Sequence, residues 1–360
     1  MTKLFISCAT MEAGGAERVI SVLSESFAVH YDEVRILMWV DAPVFYNVDP
    51  RVRLVSIEKE SGTKNIISKM CWFRHYISHE SPNLILSFLY PWSMKVLIAL
   101  SFIKTNVVVA ERQDPRIVRG GRVTKVLRNL LYLKAKGIIV QTRENRNYYA
   151  SFIRRKIKAI YNPVNIPLNM KGMALRKEKD GTIVSVGRLS VEKNHELLIR
   201  AFSLFLQDHP SFVLKIYGEG KQRTVLQKLI DEMHMEDKVL LMGNSNNVLE
   251  DIISSDVFVL SSDYEGMPNA LIEAMCLGIP CISTRVSGAS ELIRDGENGI
   301  LIDVRSIDQM AHSMSMLVDN RVLSEHLAGQ AVAMYDFLRV EVIQKNWTED
   351  LDSIIFSNCI

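Results

Sequence analysis

Short apolar runs rich in Val and Ile alternate along the chain with longer segments of helical periodicity. A run that is apolar throughout suits a strand buried on both faces, as found in parallel sheets covered by helices on each side. The candidate strands are Leu4–Cys8, Glu33–Met38, Val52–Ser56, Leu84–Phe88, Val107–Ala110, Gly137–Val140 and Lys158–Ile160, then Thr182–Val186, Val213–Tyr217, Val239–Met242, Val257–Leu260, Pro280–Ser283 and Gly299–Ile302. The two series predict an α/β fold with two doubly wound domains.

The break between the two series falls in a polar stretch with little apolar surface to bury. Asn162-Pro163 ends the first series, and the segment 171–181 contains five consecutive charged residues before the next strand begins. At 360 residues the chain is too long for one ordinary core. We therefore expect one domain over residues 1–165, a second over 166–335, and an amphipathic helix within 336–360.

The sequence shows no sign of export or of membrane insertion. No run of eighteen apolar residues predicts a transmembrane helix, and no signal peptide precedes the first candidate strand. Five cysteines with neither CxxC spacing nor an even count are typical of thiols in a reducing compartment. We therefore expect a cytoplasmic protein.

The charges are distributed unevenly between the two halves of the chain. Residues 1–165 contain 25 Lys or Arg and 13 Asp or Glu, a net charge of +12. Residues 166–360 contain 18 and 28, a net charge of −10, and the two halves together give the +2 of the whole chain. The basic half is expected to meet anions, and nucleic acid is the less favoured partner because no recognition module accompanies the charge.

Two glutamates eight positions apart lie in the segment Tyr264–Cys276. Glu265 falls in a loop with Gly266 and Pro268, and Glu273 is the single charge on the apolar helix that follows. A carboxylate on an apolar helix is costly to bury unless a partner donates hydrogen bonds to it. Taken alone, an acid at a helix start and a salt-bridged helix acid explain the pair.

Two other loops have the composition of a phosphate-binding site. Gly14 and Gly15 lie between the first strand and a helix, where free amides and close backbone approach suit an anion. Arg188 and Lys193 follow Gly187 at the end of a strand, where doubly wound sheets bind ligands. Taken singly, a tight turn and two solvated charges explain these loops. Three such loops, each just beyond a strand, favour one site for diphosphate, sugar and nucleoside in a cleft between domains.

These segments resemble the retaining nucleotide-sugar glycosyltransferases of family four, which have the two-domain GT-B architecture. The matching residues are Gly14-Gly15-Ala16-Glu17-Arg18, Gly187-Arg188-Leu189 with Glu192-Lys193-Asn194, Glu265 and Glu273 with Gly278-Ile279-Pro280, and Asp295-Gly296-Glu297-Asn298-Gly299. They extend over residues 14–299 in the order typical of the family. The resemblance implies two Rossmann-like domains facing an interdomain cleft, with the acceptor bound by the first and the nucleotide sugar by the second. It also implies that the C-terminal helix within 336–360 crosses back to the first domain.

The resemblance also implies the residues that would act on the donor diphosphate. Gly14 and Gly15 would bring backbone amides to it, and Arg188 with Lys193 would neutralise it in place of a metal. Charge develops on the leaving diphosphate, so these groups would stabilise the transition state more than the ground state.

The remaining donor contacts implied by the resemblance come from the Glu265 to Glu273 segment. Glu265 would hold hydroxyls of the transferred sugar and help to stabilise positive charge at its anomeric carbon. Glu273 would accept hydrogen bonds from the ribose hydroxyls. The backbone groups that would bind sugar hydroxyls or phosphate belong to Gly266, Met267, Asn269 and Ala270.

One position departs from the family pattern. Many relatives have a histidine close to the reacting sugar, where the segment Val109–Pro115 offers Arg112. Arg112 is therefore the acceptor-side candidate, although an arginine stays protonated and cannot serve as a base. The group that activates the acceptor is left open, with Asp114, Glu12 and the leaving phosphate as alternatives.

The resemblance gives a meaning to the basic half, because many family members act on lipid-linked diphosphate saccharides at the inner face of the membrane. A domain of this charge would be attracted to an anionic membrane surface. A basic amphipathic surface is expected from Arg116, Arg119, Arg122, Lys125 and Arg128 with apolar Ile117, Val118, Val123, Val126 and Leu127 between them. A solvated basic helix is an equally good explanation.

No metal or other cofactor is expected. The sole Asp-x-Asp, Asp350 to Asp352, lies in the C-terminal helix and not after a sheet strand, a position typical of a solvated helix face. The sequence thus predicts a metal-independent, retaining glycosyltransferase. It would transfer a hexose or N-acetylhexosamine from a nucleotide-diphosphate sugar, with UDP favoured, to a growing lipid-linked glycan. A GT-B-type sugar-nucleotide epimerase and a catalytically silent glycan- or membrane-binding protein are the alternatives.

Overall fold

The structure is a computed structural model that describes residues 1–12, 14–115 and 121–356. The chain forms two compact units. Unit 1 comprises Met1–Pro163 together with Val340–Ile360, and unit 2 comprises Val164–Arg339. The first boundary lies two residues before the expected one and the second lies four residues after it, and the C-terminal segment belongs to unit 1.

Unit 1 is built on a seven-stranded parallel sheet with the order β3-β2-β1-β4-β5-β6-β7. Its strands are β1 (Lys3–Cys8), β2 (Glu33–Met38), β3 (Arg53–Ser56), β4 (Leu84–Phe88), β5 (Asn106–Ala110), β6 (Gly137–Val140) and β7 (Ile157–Ala159). Its first helices are α1 (Gly15–His30), α2 (Ile57–Ser61), α3 (Ile66–Glu80), α4 (Tyr90–Ala99), α5 (Gly121–Tyr132) and α6 (Ser151–Arg154). Its core includes Phe5 of β1, Phe73 of α3 and Tyr132 of α5.

Unit 2 repeats this architecture with a six-stranded parallel sheet of order β10-β9-β8-β11-β12-β13. Its strands are β8 (Thr182–Val186), β9 (Val213–Tyr217), β10 (Val239–Gly243), β11 (Val257–Leu260), β12 (Cys281–Thr284) and β13 (Ile300–Ile302). Its helices are α7 (His195–Phe205), α8 (Arg223–Glu232), α9 (Val248–Ile252), α10 (Asn269–Leu277), α11 (Ser287–Leu292), α12 (Ile307–Asp319), α13 (Arg321–Ala331) and α14 (Met334–Leu338).

The strand order confirms the predicted doubly wound fold. Every candidate strand is present, and no strand end differs from its predicted position by more than one residue. The strand order reverses between β1 and β4 in unit 1 and between β8 and β11 in unit 2. Ligands of doubly wound sheets bind beyond the carboxyl ends of the strands at this reversal, so each unit has one expected site.

The last helix, α15 (Val340–Ile355), packs on unit 1 through Trp347. The Trp347 ring is 0% exposed and stacks on Phe88 at the end of β4, with 6.1 Å between ring centroids. The Arg112 guanidinium lies 4.7 Å from the centre of the same ring, which adds a cation–π contact. The C-terminal helix is therefore part of the unit 1 core.

The prediction of a solvated face for Asp350 and Asp352 was wrong for Asp350. Asp350 is buried and forms an ion pair with Lys158 of β7. Asp352 accepts a hydrogen bond from the Tyr31 hydroxyl (3.2 Å) and lies 2.8 Å from His30 Nε2 at the end of α1. The two aspartates attach α15 to two different elements of unit 1, which a helix considered alone does not reveal.

Among the helices of the described residues, none combines the length and the apolar character needed to cross a bilayer.

Removal of the Trp347 ring tests the docking of α15. We expect Trp347→Ala to lower the free energy of unfolding by about 3–5 kcal/mol, because a fully buried ring leaves a cavity when it is truncated. Lys345→Ala on the same helix, where the side chain is 74% exposed, should change it by less than about 0.5 kcal/mol. Urea denaturation of both variants measures the difference, and equal effects would contradict the assignment of Trp347 to the core.

Candidate active site

The reversal of strand order in unit 2 brings two loops together at the carboxyl edge of the sheet. β8 and β11 are hydrogen-bonded neighbours, so the segment after Val186 and the segment after Leu260 leave the sheet side by side. The first segment contains Arg188 and Lys193, and the second contains Glu265. Three of the predicted site residues, distant in sequence, therefore belong to one edge of one sheet.

Lys193 and Glu265 form an ion pair across these two loops. The Lys193 ammonium contacts Glu265 Oε1, and the Ser262 hydroxyl donates a hydrogen bond of 2.7 Å to the same oxygen. Both charged side chains are mostly buried. An ion pair of low exposure costs more to desolvate than a surface pair, so partners that satisfy it are needed. Ser262 is such a partner.

Lys193 owes its position to a 3₁₀ turn (Val191–Lys193) and to contacts with the loop that follows β11. The Ser261 hydroxyl donates to the Lys193 carbonyl oxygen (2.8 Å). Asn194 adopts a left-handed conformation at φ 46° and caps the start of α7, because its side chain accepts a hydrogen bond from the Leu197 amide. Asn194 also donates to Asp263 (2.9 Å). The bonds of Ser261 and Asp263 thus join the loop after β11, which contains Glu265, to the loop after β8, which contains Lys193.

The turn that carries Arg188 is fixed by its backbone, whereas its side chain is free of protein partners. The Gly187 amide donates to the Tyr217 carbonyl and the Leu189 amide to the Glu219 carbonyl, both at 2.9 Å. The Arg188 side chain is exposed and forms no hydrogen bond or ion pair with any described residue. A guanidinium displayed in this way can bind an anion without breaking an existing contact.

Two glycines that sequence analysis missed allow β9 and its loop to approach this turn. Gly218 has φ 132°, which favours glycine, and a Cβ added there would overlap the carbonyl oxygen of Gly187. A Cβ on Gly220 would overlap the carbonyl of Leu189. The only sequence signal for this role is the Gly-x-Gly spacing directly after a strand.

The Gly266 to Ala270 segment forms the turn into α10, which begins at Asn269. Gly288 of α11 packs on this turn, since a Cβ there would overlap the carbonyl of Gly266 and lie 2.8 Å from Met267 Cα. Glu273 follows Asn269 by one helical turn and is buried. Helix α10 ends at Leu277, and Gly278 caps it in a left-handed conformation with φ 82°. The residues predicted to contact sugar, phosphate and ribose thus lie in the turn before α10 and in the first turns of this helix.

His195, the first residue of α7, is buried beneath the Arg188 turn. The backbone of Gly187 and Arg188 lies next to its ring, but neither ring nitrogen reaches a described partner in hydrogen-bonding geometry. Burial, reinforced by the Lys193 charge, lowers the pKa of His195 to about 4. The imidazole is therefore neutral at physiological pH and adds no positive charge to the two cations beside it.

The predicted residues of unit 1 lie at the carboxyl edge of its own sheet. Gly14 precedes α1, which begins at Gly15, and the Gly14 carbonyl accepts the Arg18 amide (3.0 Å). Glu12, one of the alternatives for the acceptor base, is exposed before this helix. The amides in the first turn of a sixteen-residue helix are thus near both glycines, as an anion contact requires.

Arg112 follows β5, where the sequence placed the acceptor-side candidate, and its side chain is buried. Nη1 donates to the Ile160 carbonyl (3.0 Å) and to Asn162 Oδ1 (3.3 Å), while the guanidinium covers the Trp347 ring. Burial lowers the pKa of Arg112 to about 9, so it keeps its charge at neutral pH. These contacts give Arg112 a structural role, because they join the loop after β5 to α15.

Glu111, the residue before Arg112, links three elements of unit 1. Its carboxylate accepts the Tyr132 hydroxyl from α5 and faces Arg128 of the same helix and the Tyr90 amide at the start of α4. Burial raises the pKa of Glu111, and the charges and hydrogen bonds around it act in the opposite direction. Sequence analysis missed this residue, because a single glutamate after a strand carries no pattern.

The predicted basic amphipathic surface is wrong in one residue and untested in others. Arg128 is buried, with its guanidinium 4.4 Å from the centre of the Tyr149 ring, so it faces the interior of unit 1. Arg116, Ile117, Val118 and Arg119 lie outside the described residues. The apolar residues Val123, Val126 and Leu127 of the predicted surface are exposed, as are Leu130 and, just beyond the helix, Leu133, whereas Leu131 packs against the core of unit 1. Arg128 and Tyr132 are the buried residues of α5.

Two doubly wound parallel sheets in one chain, with a paired carboxylate and ammonium and an exposed guanidinium at the switch point of the second, are typical of glycosyltransferases of the GT-B class. The chain belongs to the family described as glycosyl transferases group 1, whose model matches residues 170–333. That match lies entirely within unit 2, which contains the ion pair.

Full-length relatives extend the similarity to unit 1. The chain is 30% identical over 343 residues to N-acetylgalactosamine-N,N'-diacetylbacillosaminyl-diphospho-undecaprenol 4-alpha-N-acetylgalactosaminyltransferase of Campylobacter jejuni, covering 89% of this chain and 92% of the relative. It is 24% identical over 357 residues to a second C. jejuni enzyme, an alpha-1,4-N-acetyl-D-galactosaminyltransferase named for a diNAcBac-PP-undecaprenol substrate, covering 96% and 97%. The crystal structure of Anabaena HepE with UDP and glucose has the same fold, with a TM-score of 0.81 at 16% identity and coverage of 98% and 100%.

The buried neutral His195 predicts a specific pH dependence of stability. Its pKa in the folded chain, about 4, lies below the unfolded value of 6.5, so the unfolded chain binds the proton first and stability falls as the pH drops through this window. From pH 7 to pH 5, we expect the wild type to lose about 2 kcal/mol more unfolding free energy than His195→Gln. Urea denaturation at both pH values measures it, and parallel losses would show that His195 is not held neutral.

Proposed function

We propose that the protein is a retaining, metal-independent glycosyltransferase that moves a hexose or N-acetylhexosamine from a UDP-sugar to a growing lipid-linked glycan in surface polysaccharide biosynthesis. The observation that carries the proposal is the Lys193–Glu265 pair, bonded to Ser262 beside the free Arg188 at the carboxyl edge of β8 and β11. The C. jejuni relatives named above have undecaprenyl diphosphate-linked acceptors, which supports the acceptor class. UDP in the HepE complex supports the nucleotide.

The charges at this edge suit the polarity of glycosyl transfer. As the bond to the leaving group breaks, negative charge grows on the diphosphate and positive charge grows on the anomeric carbon. Arg188 and Lys193 are proposed to bind the diphosphate, and the Glu265 carboxylate to face the sugar. Fixed charges in a partly desolvated site act more strongly than in water and need no reorganisation when the charges develop.

The proposal of metal independence rests on these two cations. In enzymes that use Mg²⁺, the ion supplies positive charge to the transferring group and its leaving group. Arg188 and Lys193 can supply that charge from the protein, one as a planar fork and the other as a point charge with three donors. Transfer is therefore expected to continue in the presence of a chelator.

The remaining contacts of the donor are proposed along the segment from Glu265 to Glu273. The backbone of Gly266 and Met267 would meet sugar hydroxyls, and the amides of the first turn of α10 would meet phosphate. Buried Glu273, one turn further, would accept ribose hydroxyls. Roles for Gly14 and Gly15 toward the diphosphate, and for Arg112 toward the acceptor, stay predictions. The retaining outcome is supported by the resemblance to family four, with the leaving phosphate as the proposed proton acceptor.

Substitutions of the charged residues test the donor site. We expect Glu265→Gln, Lys193→Met and Arg188→Ala each to lower kcat/KM for the UDP-sugar by about 100-fold or more, because each removes a charge matched to the transition state. Lys228→Met, in which an exposed lysine of α8 is replaced, should change it by less than about twofold. Transfer to a lipid-diphosphate acceptor is followed by mass spectrometry. Undiminished transfer by the folded variants would remove the proposed site.

The same assay separates the alternatives. A sugar-nucleotide epimerase would alter the UDP-sugar or release UDP when the acceptor is omitted, whereas a transferase requires the acceptor for rapid turnover. A catalytically silent binding protein would bind no nucleotide in a calorimetric titration. The anomeric configuration of the product, read by NMR, tests retention directly.

We also propose that unit 1 binds the inner face of the cytoplasmic membrane through α5. Unit 1 has 26 Lys or Arg and 17 Asp or Glu, a net charge of +9. Helix α5 is attached to unit 1 by the buried side chains of Arg128 and Tyr132 and by partly buried Leu131, and its other apolar side chains are exposed. Exposed Phe102, with the Lys134 ammonium 6.0 Å from its ring, extends this surface. An apolar helix face flanked by Arg122 and Lys125 suits the headgroup region of an anionic bilayer.

A matched pair of valines tests the membrane surface. Val123 on α5 and Val322 on α13 are each 79% exposed, so their substitution should affect folding similarly. We expect Val123→Asp to weaken binding to phosphatidylglycerol vesicles by about 10-fold or more, because it removes apolar contact and adds repulsion, whereas Val322→Asp should leave binding unchanged. Co-sedimentation measures the binding. Equal binding of both variants, or equal binding to phosphatidylcholine vesicles, would contradict an anionic bilayer as the partner of α5.

A further inference from the structure

Ser262 is the residue through which the protein fixes the Glu265 carboxylate independently of Lys193. Ser262 is fully buried at the carboxyl end of β11, and its hydroxyl donates to Glu265 Oε1 (2.7 Å). Its own backbone is held in turn, because the Thr284 hydroxyl at the end of β12 donates to the Ser262 carbonyl oxygen (2.6 Å). Glu265 is thereby connected to two adjacent strands of the sheet.

Both protein contacts of Glu265 fall on the same carboxylate oxygen. Lys193 and Ser262 each bind Oε1, and no hydrogen bond to Oε2 is formed by any described residue. A carboxylate held by one oxygen has a defined orientation and retains the acceptor capacity of the other. Oε2 is therefore the atom of Glu265 that is available to a bound sugar.

Lys193 cannot serve Glu265 and a diphosphate with equal strength. Its ammonium is already paired with Glu265, and a diphosphate with several charged oxygens competes for the same three donors. When Lys193 turns toward phosphate, its hold on Oε1 weakens. The Ser262 hydroxyl has no such competing duty, since its position is set by β11 and by Thr284.

We propose that Ser262 is a positioning residue that keeps Glu265 directed at the transferred sugar while Lys193 binds the diphosphate. This inference rests on the proposed function, and it adds a distinction between two ligands. UDP needs Arg188 and Lys193 but has no sugar to meet Glu265, whereas a UDP-sugar needs both parts. The loss of the Ser262 hydroxyl should therefore impair the use of UDP-sugar and spare the binding of UDP.

The adjacent serine provides a contrast within the same loop. The Ser261 hydroxyl donates to the Lys193 carbonyl oxygen (2.8 Å), so it positions the backbone of the cation and not the carboxylate. Its loss should weaken UDP and UDP-sugar together. Two neighbouring serines thus have separable effects, one on the sugar side of the donor and one on its diphosphate side.

The test compares Ser262→Ala and Ser261→Ala with the wild type in the full-length protein. For Ser262→Ala we expect kcat/KM for the UDP-sugar to fall by about 10- to 100-fold, as for loss of a hydrogen bond to a charged group, with the Kd of UDP within about twofold. For Ser261→Ala the Kd of UDP should rise as well. Ser203→Ala, which removes a hydroxyl bonded to the Arg200 carbonyl within α7 (2.7 Å), is the control and should change neither quantity.

Two results would overturn the role of Ser262. One is an unchanged kcat/KM in Ser262→Ala, and the other is a loss of UDP affinity by the same factor as the loss of turnover, which indicates a general collapse of the loop. Thr284→Val, which removes the bond to the Ser262 carbonyl, should lower turnover in the same direction and serves if Ser262→Ala does not fold. A wild type that binds no UDP would instead refute the proposed function and this inference with it.

Discussion

A parallel sheet places all its strand-to-helix loops at one edge, and the candidate active site of unit 2 depends on that constraint. The loop after β8 and the loop after β11 meet because these strands are neighbours at the reversal of the strand order. Lys193 and Glu265 can form a pair only under this condition, and the serines, the glycines and His195 around them all act on the same two loops. The strand order therefore brings the two loops together, and the side chains on these loops then form the site.

Close approach of backbones is the second requirement of this site. Gly218 and Gly220 lie against the turn that carries Arg188, and Gly288 lies against the turn that enters α10. A side chain at any of these positions would overlap a backbone carbonyl oxygen, so the loops would have to move apart. The positions of the charged residues therefore depend on three glycines to which we assign no ligand contact.

Much of the fold could be predicted from the sequence, because a strand that is buried on both faces consists of a short run of apolar residues. The motifs with Glu265, Arg188 and Lys193 also identified the family, since several of them occur in order. The orientation of single helix faces could not be predicted. Arg128 contacts the Tyr149 ring and faces Glu111, and Asp350 pairs with Lys158. These partners are distant in sequence from the residues that they bind. Ser262 was missed for a similar reason, because a serine in a loop gives no signal until its acceptor is known.

The return of α15 to unit 1 means that unit 2 is an insertion within a discontinuous domain. The chain leaves unit 1 after Pro163, completes unit 2, and re-enters unit 1 at Val340. On the ribosome, unit 2 has its full sequence before unit 1 receives Trp347, the ring that covers Phe88 and Arg112. Synthesis of unit 1 therefore begins before that of unit 2 but ends after it, so unit 1 is the last to obtain its complete core.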